Sequence, residues 1–438
     1  MNIELLTVLL IGSLLLLLAF GVPVFVALGS VAIVYSFFLW GTDAFFVIPT
    51  QLLSIASSPV FVAVPMFLLM ANMLLSSGVA DALFETMYSW MGSIRGGLAM
   101  GTVLICTVFA AMSGVSGVAT ISMGLIALPA MLKRKYDKKM ALGCIAAGGV
   151  LGIVIPPSVE MVLYAQFCNE SVGGMFAGGI IPGILCSALY VTYIGIRSAI
   201  QPQMGPAMPP EERVSLNQKI IDLKSVILPL LLVVAVLGSI YSGAATATEA
   251  ASIGALGSFV CAAVYRHLNW KVVNDALRNT FKLFGLCVFI GGSAIIFNSV
   301  YTALGGQNLA SELVSTLPIN PWAILIFMQI TLFLLGMVMD DYAVIMLVAP
   351  IYAPIVKTLG FDTLWWGVLF ILNMQVAYLT PPYGFNLFYL RSIAPQSVTM
   401  DDIYRSILPF VGLQVLGLLT CMIFPQLILW LPSVLVTK

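Results

Sequence analysis

Two Pro-Pro pairs, Pro156-Pro157 and Pro381-Pro382, stand inside apolar stretches long enough to cross a membrane as helices. Proline lacks a backbone donor and its ring clashes with the preceding turn, so two in a row interrupt a helix. In hydrocarbon the freed amides and carbonyls are costly unless protein, an ion or a polar ligand satisfies them. A chain with two such interruptions is expected to hold something polar at membrane depth.

The composition shows that the surrounding medium is lipid. Hydrophobic residues make up 61% of the 438 residues, charged residues 8%, and the mean hydropathy is +1.08. A soluble chain carries roughly 25% charged residues to wet its surface. The expected fold class is therefore an all-α polytopic membrane protein. The net charge of zero offers no electrostatic footprint for nucleic acid. Seven cysteines stand singly, without a CxxC or Cys/His cluster, and His267 has no ligand company, so free apolar thiols are expected rather than a metal centre. No Walker motif is present, which excludes ATP hydrolysis by this chain. The start, Met1 to Glu4, lacks a basic n-region and is read as leading into a retained first helix.

Read in order, residues 5–20, 24–40 and 60–75 are spans, with an amphipathic or re-entrant piece at 49–57 and an interfacial stretch at 76–95. Residues 96–132 form a hairpin that turns back at a polar tip, 113–117. The basic loop 133–139 follows, then a broken helix at 140–167 and a span at 175–196. Residues 201–224, rich in proline and charge, read as a cytoplasmic linker. Beyond it lie spans at 226–241 and 245–265, a basic surface arm at 266–282, a span at 283–304 and an external loop at 305–318. A second hairpin at 321–357, a second broken helix at 364–390 and a closing segment at 406–434 complete the chain.

The two halves, 1–200 and 225–438, repeat. Pro129, Tyr136-Asp137, Pro156-Pro157 and Tyr164 recur 225 positions later as Pro354, Phe361-Asp362, Pro381-Pro382 and Tyr389, and Ser116 falls on Asp341. The loop after the first hairpin carries five basic residues and its counterpart carries one. Opposite bias at equivalent positions implies inverted repeats. Counting about ten crossings plus two hairpins then puts both termini outside.

The first tip offers Ser113, Gly114, Ser116 and Thr120, hydroxyls and turnable carbonyls of the kind a hard cation such as Na⁺ selects. The first break adds Gly149, Gly152, Pro156, Pro157 and Ser158; the second adds Thr380, Pro381, Pro382, Gly384 and Asn386. Each break is expected to face the tip of its own half, with one cation per pair, about two Na⁺ in all, and substrate between the tips. Asp340 and Asp341 are an acidic pair in apolar sequence, suited to holding a cation or keeping the tip shut. A paired-carboxylate protease is the enzyme alternative, but adjacent aspartates point apart, so no enzyme is expected. Glu249 stands near the start of a helix, where the dipole favours an acid.

Residues 149–158, Thr248-Glu249-Ala250-Ala251, Gly336 to Asp340, the Ser113–Thr120 tip and Leu379 to Phe388 together resemble the large membrane subunit of TRAP (tripartite ATP-independent periplasmic) transporters. The resemblance covers essentially the whole chain. It implies an elevator-type secondary transporter of the bacterial or archaeal inner membrane, driven by Na⁺ and without an organic cofactor. A periplasmic substrate-binding protein would deliver a small organic acid, and a small membrane subunit of about four helices, here a separate chain, would brace the scaffold in the bilayer. Gly336 and Met337 then join the cation set, and Asn373 and Tyr383 join Ser116, Thr120, Pro157, Ser158, Asp341, Pro382 and Asn386 in the substrate set. Tyr383 and Phe385 are bulkier than the family pattern, and Ala247 replaces its usual proline. Monocarboxylates, 2-oxo acids, dicarboxylates, sulfonates and sialic acid all remain open as substrates. The alternative is a Na⁺/organic acid symporter of related build that works without a binding protein.

Overall fold

The computed structural model describes residues 3–209, 215–316 and 318–436, and among them it contains helices and no strand. The first half comprises α1 (Ile3–Ala19), α2 (Val24–Trp40), α3 (Ala44–Ala56), α4 (Pro59–Leu75), α5 (Val79–Met91), α6 (Gly97–Ser113), α7 (Ser116–Lys133), α8 (Lys138–Val150), α9 (Val159–Cys168) and α10 (Val172–Ile200). A short α11 (Leu216–Asp222) lies in the connection. The second half comprises α12 (Lys224–Tyr241), α13 (Ala247–Val264), α14 (Trp270–Ala303), α15 (Gly306–Thr316), α16 (Pro321–Gly336), α17 (Asp341–Thr358), α18 (Thr363–Leu379), α19 (Phe385–Ile393) and α20 (Met400–Ile423), with α21 (Gln426–Leu435) after it.

Moved back by 225 residues, α17 coincides with α7 at both ends, α18 starts where α8 starts, and α16 and α19 start within one residue of α6 and α9. The outer helices follow the same register, α14 covering both α3 and α4. Packing is reciprocal: α9 lies on α17 as α19 lies on α7, and α4 lies on α13 as α14 lies on α2. Reciprocal contacts of this kind are the mark of a two-fold relation. The axis itself can be located. Gln375 Nε2 donates to the Val150 carbonyl at 2.9 Å, and 150 and 375 are repeat equivalents. A residue meets its own equivalent only at the axis.

Burial separates an inner from an outer layer. The hairpin arms α7 and α17 are 61% and 67% buried over their apolar windows, against 28% for 24–56 and 24% for 217–241. The outer helices therefore present their apolar sides to lipid, and the hairpin arms α7 and α17 sit in protein. Among the described residues, eight helical segments are long and apolar enough to cross a membrane, or nine if α4 and α5, bent by 59° at their break, count together.

Several expectations from the sequence change. The surface arm at 266–282 is not a separate element: it runs unbroken into the span as the 34-residue α14. Its counterpart is interrupted because Ser58 caps α4 and Pro59 opens it, whereas the equivalent positions Leu283 and Phe284 carry no stop signal. The external loop at 305–318 contains the helix α15, equivalent to α5, with residue 317 outside the described residues. The closing segment is two helices, divided at Pro425. The linker at 201–224 lies along the body of the first half: Gly96 N–H donates to Gly205 O, Met208 N–H to Gly92 O and Trp90 Nε1–H to Lys219 O. Its residues 210–214 lie outside those described.

Candidate functional site

Tip one and break one pack backbone to backbone. Gly114 closes α6 with φ +61°, and a Cβ there would lie 2.1 Å from the Pro157 carbonyl oxygen. Only glycine fits, on both counts. Val159 N–H donates to Gly114 O at 3.2 Å. A Cβ on Gly149 would fall 1.9 Å from Thr120 Oγ1, and one on Gly152 would fall 3.1 Å from Val115. Ser158 caps α9, accepting from Met161 N–H, and its Oγ lies 2.5 Å from the Ile153 carbonyl and 3.0 Å from Glu160 Oε2. Pro156 and Pro157 are buried and joined by a cis peptide. Ser113 is wholly buried, and its Oγ has no hydrogen-bond partner.

Tip two meets break two through side chains. Gly336 ends α16 against Met374 and Ala377 of α18, where a Cβ would come within 2.8 Å of either side chain. Met337 is half-buried and caps α16 through its N–H to Phe333 O. Asp340 is the N-cap of α17, accepting from Tyr342 N–H at 3.1 Å, and Tyr378 O–H lies 3.4 Å from its Oδ2. Asp341 is 3% exposed and its Oδ1 also accepts from Tyr342 N–H, at 2.8 Å. Thr380 caps α18 and returns its hydroxyl to Val376 O, Pro381 is half-buried, and Gly384 opens α19 at φ +48°. Pro382 and Tyr383 are exposed; the Pro382 carbonyl accepts from Tyr404 O–H.

The halves are joined across the centre. Thr120 O–H donates to Asn386 Oδ1 at 2.6 Å, and Asn386 Nδ2 donates to Ala146 O at 2.7 Å. Gln375, which holds the Val150 carbonyl, is itself bonded to Gln414, and Gln414 to Tyr190. Glu160, on α9, faces the Asp340 and Asp341 carboxyls across the α9–α17 contact. Neither this chain of amides nor Glu160 is singled out by the sequence patterns, although a lone carboxylate two residues past a break is itself a depth signal. Asn373 is not brought to the tips. It donates to the Gln329 carbonyl at 2.8 Å and to the Gln329 side chain, holding α18 to α16. Glu249 completes a capping box with Thr246.

The common design is a meeting of helix ends. α6, α8, α16 and α18 stop at the centre, and α7, α9, α17 and α19 start there. Helix C-termini present carbonyls and a partial negative charge, suited to cations; N-termini present N–H groups and a partial positive charge, suited to anions. Irregular backbone at membrane depth is tolerated where it lines such a site.

Residues 11–427 match the family described as "Tripartite ATP-independent periplasmic transporter, DctM component". The chain is 33% identical to the C4-dicarboxylate TRAP transporter large permease protein of Vibrio cholerae, covering 99% of this chain and 98% of that one. It is 35% identical to the protein of the same description from Pseudomonas aeruginosa, over 85% and 86% of the two chains. The fold resembles the crystal structure of the Alcanivorax borkumensis YdaH transporter, with a TM-score of 0.62 at 15% identity over 96% of this chain and 98% of the other. The chain therefore belongs to the DctM family of TRAP transporters, as a multi-pass permease of the bacterial inner membrane and not an enzyme.

Proposed function

We propose that this chain is the permease of a Na⁺-coupled importer of a small organic acid, delivered by a periplasmic substrate-binding protein and with the scaffold braced by a small membrane subunit. The observation that carries the reading is the pairing, in both halves, of a hairpin tip with a broken helix, so that four helix C-termini and four N-termini are brought towards one centre. A Na⁺ ion wants several hard oxygens and no thiolate or imidazole. At tip one the partnerless Ser113 Oγ, in the last turn of α6, fits that requirement. At tip two the end of α16, Asp340 and the Thr380 cap supply the equivalent set.

The N-termini of α7, α9, α17 and α19 would take the acid group of the substrate. Glu160, Asp340 and Asp341 oppose a second anion in the same place, so bound cations are needed to offset them. That is a physical reason for obligatory coupling. The reciprocal pair of contacts α4–α13 and α2–α14 supplies a scaffold. The two hairpins and two broken helices, inverted with respect to each other by their loop charges, would move against it as an elevator.

Uptake in proteoliposomes holding this permease and its small subunit, with the cognate binding protein added, tests the proposal. An inward Na⁺ gradient should drive accumulation. Ser113→Ala should raise the Na⁺ concentration for half-maximal uptake about tenfold without lowering the unfolding temperature, because it removes a hydroxyl that has no partner to lose. Na⁺-independent accumulation would overturn the coupling, and full uptake without any binding protein would overturn the three-part reading in favour of a simple symporter.

A further inference from the structure

A cavity of about 740 Å³ opens on the outside of the scaffold between α2, α3, α4 and α14, far in function from the helix ends described above. Its walls include Ile33, Leu52, Val62, Val288, Phe289 and Ile296, and the first five of these are themselves exposed. Gly29 and Gly292 deepen it: a side chain on Gly292 would strike Leu52 at 2.7 Å. The lining along α14 runs from Phe284 to Ile296, which at 1.5 Å per residue is about 18 Å, close to the thickness of one leaflet's hydrocarbon, about 15 Å.

One end of this groove carries charge. Lys271, Arg278 and Lys282 precede the lining residues on α14, and 271, 278, 282, 289, 293 and 296 follow helical spacing along one face of that helix. All three bases are exposed. Asp275 shares the stripe, leaving three bases against one acid. Among the described residues Arg278 and Lys282 enter no ion pair. By the positive-inside rule this cluster, like the basic loop at 133–139, belongs on the cytoplasmic side.

We propose that this groove is a binding site for one anionic phospholipid of the cytoplasmic leaflet, with an acyl chain between α2, α3 and α14 and the phosphate at Lys282 and Arg278. An apolar slot of one leaflet's depth with a basic mouth matches a lipid chain and a negative headgroup, and clustered bases beside apolar helices select anionic lipid. A soluble organic acid has no use for the apolar length, and a neutral lipid has no use for the bases.

Native mass spectrometry of the purified membrane complex, titrated with phosphatidylglycerol and separately with phosphatidylcholine, tests the site. A single phosphatidylglycerol adduct should persist with about fivefold preference over phosphatidylcholine. Ile33→Trp combined with Leu52→Trp should fill the groove and abolish that adduct for both lipids. Arg278→Glu combined with Lys282→Glu, exposed positions that leave the apolar walls intact, should remove the preference while a weak adduct of either lipid remains. Equal retention of the two lipids by the native protein would overturn the proposal. So would an unchanged preference in the charge-reversed variant. Cross-linking of a Val62→Cys variant to the small subunit, with no lipid retained, would assign the groove to that partner instead and equally overturn it.

Discussion

The two breaks occupy equivalent positions in the repeat and differ in how they are enclosed. At the first, every residue from 151 to 158 is buried, and Gly114 of the facing tip touches the Pro157 carbonyl so closely that no side chain fits between them. At the second, Pro382 is exposed and Tyr383 is 51% exposed, while the tip is held by the longer contact of Tyr378 with Asp340. One sequence plan, used twice around a two-fold axis, thus yields one sealed and one open break. Exact symmetry would have made them alike. Under the proposed elevator movement, inequivalent breaks would let the centre be reached from one side only in a given state.

This contrast can be broken at several points. The largest effect is expected at the sealed break. Gly114→Ala combines left-handed strain with a clash against backbone, and should lower stability by about 3 kcal/mol. Gly384→Ala, at its looser counterpart, meets only the movable end of Leu387 and the Thr380 carbonyl at 3.1 Å, and should lower it by about 1 kcal/mol. Thermal unfolding of the two variants in one detergent compares them; equal losses would mean that the breaks are equally tight. Next comes the link between halves. Asn386→Leu strips Thr120 and the Ala146 carbonyl of their partner and should cost about 2 kcal/mol, read in the same assay, with uptake falling further than stability alone explains. The smallest effect belongs to Lys138→Ala. It removes a 3.2 Å ion pair with Asp402 whose side chains are 40% and 27% exposed, so less than about 1 kcal/mol is at stake, shrinking in high salt.

What the residues announced in advance was the irregular part of the molecule. Prolines, glycines and a repeat of landmarks such as Tyr136-Asp137 and Phe361-Asp362 are local signals, and helices end and restart beside them. The packing partners were not legible. Gln375 reaches Val150 and Gln414 reaches Gln375, yet in the chain each is a polar residue between apolar neighbours, and nothing in those neighbours says which helix it will face. Asn373 shows the same limit from the other side: seven residues before a break it reads as part of the site, but the helical rise and turn carry it to Gln329 on α16. The unbroken α14 was illegible for a different reason. Its basic first half suggested a surface arm, and the deciding feature was the lack of a capping serine and proline at 283–284, where α4 has them. Gly114 and Gly152 lie at one contact because a tip and a break close in sequence pack as one local unit.

The most direct test of the account is a pair of cysteines placed at the two breaks in a background without native cysteine. With a membrane-impermeant maleimide, Tyr383→Cys should label rapidly and Ser158→Cys should stay protected in the absence of substrate. Adding Na⁺, the loaded binding protein and substrate should slow labelling at 383 and speed it at 158 from the opposite side of the membrane. Labelling of both positions from one side, or rates that ignore Na⁺ and substrate, would contradict the proposed movement of the breaks between the two sides of the membrane.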